Sequence, residues 1–218
     1  MKTIFCTLLL ASYHLLAAAQ VKNDLARIHL AGKVKSVTEL EYNAAKDTLR
    51  WKIVYNYSKS GNLSGFETYS STGNLFSRSV CNYGKSDSLI DQKRYKADSS
   101  LFDITTFTYD AQGNKLEEHD LDAAGKEFQR VAFRNNLRGD AITRDSYNEF
   151  GALFLKCNNK YDAKGNEIET REYDSHHGLR FITTYSYEEP DSKGNWLRKS
   201  TYKNDDLFSI TEREITYY

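Results

Sequence analysis

Three groups of side chains in this sequence are of types that do chemistry. His176 and His177 sit together in a turn from Asp174 to Gly178, and two imidazoles with a carboxylate are metal-ligand types. Adjacent residues on a tight turn do not converge on one tetrahedral centre. No cysteine or third histidine lies at ligand spacing, so neither a metal nor another cofactor is expected. His119 follows Glu117 and Glu118 and precedes Asp120. On a strand, alternation puts His119 with Glu117 on one face and Glu118 with Asp120 on the other, an arrangement that allows general acid–base pairs. A solvated strand face explains the same residues more simply. No Gly-x-Ser-x-Gly elbow, phosphate-cradling glycine loop or His-Glu-x-x-His is present, so no catalytic residue is expected. Trp51, Trp196 and the many tyrosines offer flat, amphipathic ring surfaces of the kind that stack on sugars. Their periodicity marks most of them as repeat core. Trp196 and Tyr185 depart from the period, and with His176 and His177 they are the binding candidates.

The elements that must position these residues are turns and strands. The phrase Tyr161-Asp162-Ala163-Lys164-Gly165-Asn166 has an Asp that opens a type I turn and a Gly that supplies the positive φ of a following bulge. Gly61-Asn62, Gly73-Asn74, Gly113-Asn114 and Gly194-Asn195 repeat that chemistry. Tyrosines close strands at 57, 69, 83, 95 and 109 and again at 147, 161, 173 and 187, in alternating steps of 12 and 14. Leu121 and Phe133 are read as standing in the two missing places. A second row, Phe76, Ile90, Phe102, Leu116, Phe128, Ile142, Phe154 and Ile168, follows the turns with the same alternation, so the unit is 26 residues. Connections this short join antiparallel neighbours and predict an all-β meander of about fourteen short strands. The expected form is a twisted or curled single sheet, an open shell or spiral, with a short N-terminal helical turn capped by Asn23 acting as a plug. Glu167, Glu169 and Arg171 are expected to make cross-strand charge pairs.

Composition narrows the function classes. Thirty basic and thirty acidic residues leave no positive excess for nucleic acid or anionic lipid. Residues 1–19 read as a Sec signal peptide, with Lys2, an apolar run from Ile4 to Leu16 and Ala17-Ala18-Ala19 before Gln20. Residues 20–218 then form one exported domain, in the periplasm, at the cell surface or outside the cell. Membrane insertion as an outer-membrane barrel is not expected, because charges interrupt both faces of strands such as Glu167 to Tyr173. Cys81 and Cys157 lie six strands apart in a meander, about 29 Å in a flat sheet, so free thiols are expected.

Tyr109-Asp110-Ala-Gln-Gly113-Asn114, Tyr161 to Asn166 and the looser Asp191-Ser192-Lys193-Gly194-Asn195-Trp196 resemble YD repeats of the RHS type. The resemblance covers most of Tyr57 to Tyr218 and implies a spiralling β-sheet. Large members of that family enclose a C-terminal toxic domain, and no such domain is expected here. It looks more like the small exported YD-repeat proteins of Bacteroidetes-type bacteria. The expected function is a non-enzymatic exported β-repeat module that binds a partner protein or a cell-envelope glycan. The alternative is a small envelope hydrolase using carboxylates such as Glu117 or Glu169 in a groove. Functional residues are expected where the rhythm breaks, at Phe133 to Gly139, at His176-His177 and at Glu188 to Trp196.

Overall fold

The computed structural model describes residues 23–84 and 88–218; the signal-peptide reading of residues 1–19 falls outside them. After a one-turn helix α1 (Asp24–Arg27) come fourteen strands: β1 (Val34–Asn43), β2 (Leu49–Tyr57), β3 (Leu63–Ser70), β4 (Leu75–Tyr83), β5 (Leu89–Lys96), β6 (Leu101–Tyr109), β7 (Lys115–Asp122), β8 (Glu127–Asn135), β9 (Ala141–Asn148), β10 (Leu153–Tyr161), β11 (Glu167–Asp174), β12 (Leu179–Pro190), β13 (Trp196–Lys203) and β14 (Asp206–Tyr217). Each strand pairs antiparallel with its neighbours in chain order. The expected open or curled sheet is wrong, however: β1 pairs with β14 from Val34↔Tyr217 to Asn43↔Ser209, and the sheet closes into a barrel.

The turns explain the closure. Asp162 Oδ1 accepts from the Lys164 and Asn166 amides, Gly165 adopts φ 88°, and the Gly165 amide returns to the Asp162 carbonyl. Immediately beyond such a turn the ladder skips one residue. Tyr95 pairs with Leu101 but Arg94 with Asp103, leaving Phe102 unpaired; Tyr161 pairs with Glu167 but Lys160 with Glu169, leaving Ile168 unpaired. Every member of the periodic row from Phe76 to Ile168 is such a bulge residue. Bulges bend their strand and add right-handed twist. Repeated at both rims, they curl the sheet until its two edges meet, and closure removes the exposed edges.

The double period of 12 and 14 residues corresponds to the two ends of this barrel. Leu89, Lys115, Ala141 and Glu167 line the lumen, so the bulge residues after them, Ile90, Leu116, Ile142 and Ile168, point outward at one end. At that end Tyr57, Tyr109, Tyr161 and Tyr187 face inward. At the other end the sides exchange. Arg94 and Lys96 share the inward face of Gln92 and lie over the Phe102 ring at 4.7 and 5.7 Å, which puts the Phe bulges inside that mouth.

Some of the inward tyrosines have a structural task. Each bulge takes one carbonyl out of the ladder, and a buried carbonyl without a partner is costly. Tyr187 donates its hydroxyl to the Glu167 carbonyl (2.6 Å), Tyr161 shares the Ala141 carbonyl (3.0 Å) with Asn159 Nδ2 (2.7 Å), and the Tyr83 hydroxyl, whose proton goes to Asp24, lies 2.8 Å from the Leu63 carbonyl. The same place on β8 belongs to Asn135, not to Phe133 as the sequence spacing suggests: Asn135 Nδ2 donates to the Lys115 carbonyl at 2.7 Å.

Between Asn23 and Lys33 the chain crosses the tyrosine-lined mouth, as the plug reading expects. Asn23 Oδ1 caps α1 by accepting from the Ala26 amide, and Asp24 Oδ2 accepts from the Leu63 amide at 2.8 Å and from the Tyr83 hydroxyl. His29 Nε2 meets Asp140 Oδ1 at 2.7 Å, and Asn195 brackets Ala31, accepting from its amide (2.7 Å) and donating to its carbonyl (3.0 Å). Leu25, Leu30, Val34, Val37 and Tyr57 form the apolar cluster beneath. One of the places where the repeat rhythm breaks, Glu188 to Trp196, therefore holds the plug through Asn195, and Asp140 lies one residue beyond another, Phe133 to Gly139.

The outer wall is ionic. Glu117 accepts from Arg130 Nη1 (2.5 Å) beside His119, and Glu169 meets Lys160 (3.0 Å) and Arg171 (2.7 Å). Glu167 is not part of that outer set, because the Ile168 bulge turns it to the lumen beside Arg144.

Candidate chamber beside the plug

Behind the plug the barrel encloses a chamber of about 910 Å³. A smaller cleft of about 110 Å³ lies between Ile28–Leu30 of the plug and the stretch from Pro190 to Trp196, and it shares Trp196, Tyr187 and Arg213 with the chamber wall. A fourteen-stranded barrel is too wide for side chains to fill, so an aqueous space is the natural result of closure. Toward the far mouth the inward positions become small and buried, among them Ser79, Ser146, Thr170, Thr183 and Thr211.

The wall is built from matched charges. Arg213 reaches Glu39 through both Nε and Nη2 at 2.7 Å, Lys115 pairs with Glu118, and Arg138 Nε donates to Asp140 at 2.8 Å. Looser pairs join Arg144 to Glu167 and Arg27 to Asp24, both at 3.6 Å. Burial pushes the Asp140 carboxyl upward, but hydrogen bonds from Asn136, His29 and Arg138 outweigh it and hold the group below the usual carboxylate range. Asp120 is raised by burial, and its partner is the Thr105 hydroxyl at 2.7 Å.

Trp196 and Tyr185, two of the residues singled out by sequence, come together here around a third that the sequence did not flag. Lys199 Nζ lies 5.5 Å from the Trp196 ring centre and 5.8 Å from that of Tyr185. The Arg213 guanidinium covers one face of Trp196 at 3.3 Å, and Tyr187 tilts against the indole at 5.2 Å. Among the described residues Lys199 has no ion-pair partner, and burial lowers its pKa, against the opposing pull of Glu39. Lys199 was legible only as a polar strand residue, because its isolation depends on which residues face it across the lumen.

His176 and His177 are elsewhere. They sit exposed in the turn between β11 and β12 at the far mouth, where Asp174 Oδ1 accepts from the His176 and Gly178 amides. The described residues contain no cluster of three or more His, Cys, Asp or Glu able to hold a metal. Glu117 and Glu169, the carboxylates of the hydrolase alternative, stand on the convex outer wall in ion pairs rather than in a groove. Cys81 and Cys157 are free thiols, the first pushed up to about 12 by burial.

No protein-family model and no curated protein matches this chain. Among solved structures, a porin-like protein from Bacteroides uniformis ATCC 8492 is similar at TM-score 0.50 and 12% identity, over 84% of this chain and 96% of that one. The Photorhabdus luminescens Tc holotoxin pore matches at TM-score 0.26 and 11% identity, over 74% of this chain and 12% of that one. That score carries no structural argument, so the resemblance to YD repeats rests on turn chemistry and spacing. What the first likeness supports is the fold: the chain is a β-barrel related in architecture to a porin-like protein.

Proposed function

We propose that this protein is an exported, non-enzymatic binding module that takes a cell-envelope glycan in its chamber. The carrying observation is a chamber of about 910 Å³, within the range of ligand sites, adjoined by a cleft at the plug and walled by rings and polar groups. Orientation comes from the lining of fixed ion pairs, which present hydrogen-bonding groups in set directions.

An aqueous setting fits the outer wall. Arg130, Lys160 and Arg171 stand outside in ion pairs, and an Arg or Lys on the lipid face of a barrel costs about 2–4 kcal/mol at the membrane midplane. No described helix is long and apolar enough to cross a membrane, a fact that does not bear on strands. The ionic belt is what argues against lipid. Purification of residues 20–218 without detergent, followed by calorimetric titration with envelope oligosaccharides, tests the proposal. Saturable binding that Trp196→Ala weakens is expected. A folded, detergent-free sample that binds no oligosaccharide would sink it.

A further inference from the structure

We infer that the ligand of the chamber is an anionic sugar whose acid group is held by Lys199. The inference rests on the glycan-binding reading and adds the substrate class. The pairing along the chamber wall carries it: Arg213, Lys115, Arg138, Arg144 and Arg27 each have a carboxylate within 4.0 Å, whereas Lys199 has ring faces only. A partly buried ammonium without a counter-ion is costly, and an arriving anion would offset that cost.

Its neighbours are arranged to leave it free. Glu39 is engaged by Nε and Nη2 of Arg213, and Arg213 is in turn fixed on the face of Trp196. Lys199 therefore stands at the inner edge of the wall that the cleft shares with the chamber. On β7, six strands away around the ring, Asp120 is held by a hydroxyl rather than a cation, which suits it to meet sugar hydroxyls. Carboxylated and sulfated sugars share the anionic chemistry, and the titration separates them.

The test titrates the mature chain with a trimer of galacturonic acid, a sulfated trisaccharide and a neutral trisaccharide. The acidic trimer, the sulfated one or both should bind at least about tenfold more tightly than the neutral one, the scale of one charge-assisted contact. Lys199→Met should abolish that preference while raising the melting temperature, because it retires an unpaired buried charge. Arg171→Gln on the outer wall should leave the preference intact. Equal affinity for the neutral trisaccharide and both anionic ones would overturn the inference and leave the glycan reading standing. So would an acid preference that survives in Lys199→Met. If none of the three binds to a folded sample, both fall.

Discussion

At the plugged mouth the strand-closing tyrosines point inward, Tyr161 and Tyr187 reach carbonyls beside the bulges, and a segment of the chain crosses the opening. At the far mouth the same sequence slot points outward: Tyr69 lies under Lys52 at 5.4 Å and Tyr147 under Arg130 at 4.4 Å. There the phenylalanine bulges face in and remain 41–55% exposed, and no described segment crosses them. One repeat thus yields two unlike rims, because successive strands run in opposite directions and a bulge reverses which side a residue faces. Equivalent residues in the sequence are therefore not equivalent in energy. Tyr187 is a hydrogen-bonding strut at one rim, and Tyr147 is outer surface at the other.

The comparison can be broken by substitution. Leu25→Ala removes a side chain from the cluster under the plug and should cost about 2–4 kcal/mol in chemical denaturation. A loss below about 1 kcal/mol would mean that the plug is not integral to the barrel. Tyr187→Phe removes the hydroxyl donor from the Glu167 carbonyl and should cost about 1–2 kcal/mol, whereas Tyr147→Phe on the outer wall should stay within about 0.5 kcal/mol. Equal effects of the two would erase the distinction between rims.

Acid should loosen the plugged rim selectively. The Asp140 carboxyl titrates lower in the folded protein than in the unfolded chain, so its stabilising contribution is present above the unfolded carboxylate pKa and fades as pH falls through the folded one. Hydrogen exchange of residues 23–33 should accelerate over that acid range before exchange in the mid-barrel strands, and Asp140→Asn should remove the step. The smallest effect is expected at the far mouth. Phe102→Ser, at a residue 44% exposed, should change stability by less than about 1 kcal/mol and leave chamber binding unaltered. A large loss of binding there would move the site to the other end.

Much of the architecture was legible in residue order. Asp-x-x-Gly turns such as Asp162 to Gly165 specify their own geometry locally, and the 12-and-14 spacing counts the strands. The closing slot on β8 was misread as Phe133 because an aromatic stood nearby, although an amide can do the same hydrogen bonding, as Asn135 does. Trp196 and Tyr185 were picked out as departures from the rhythm, and they flank the chamber's isolated lysine. His176 and His177 were picked out on side-chain type and as a break in the rhythm, and they sit in an Asp-capped turn at the far mouth, away from the chamber.

By itself the sequence determined turns, strand lengths and antiparallel order, since each depends on residues only a few positions apart. Closure, the lumen and the state of Lys199 were decided by tertiary structure. Twist accumulates over fourteen strands before Glu39 can meet Arg213 across the seam, and only then is one cation of the wall left without a partner.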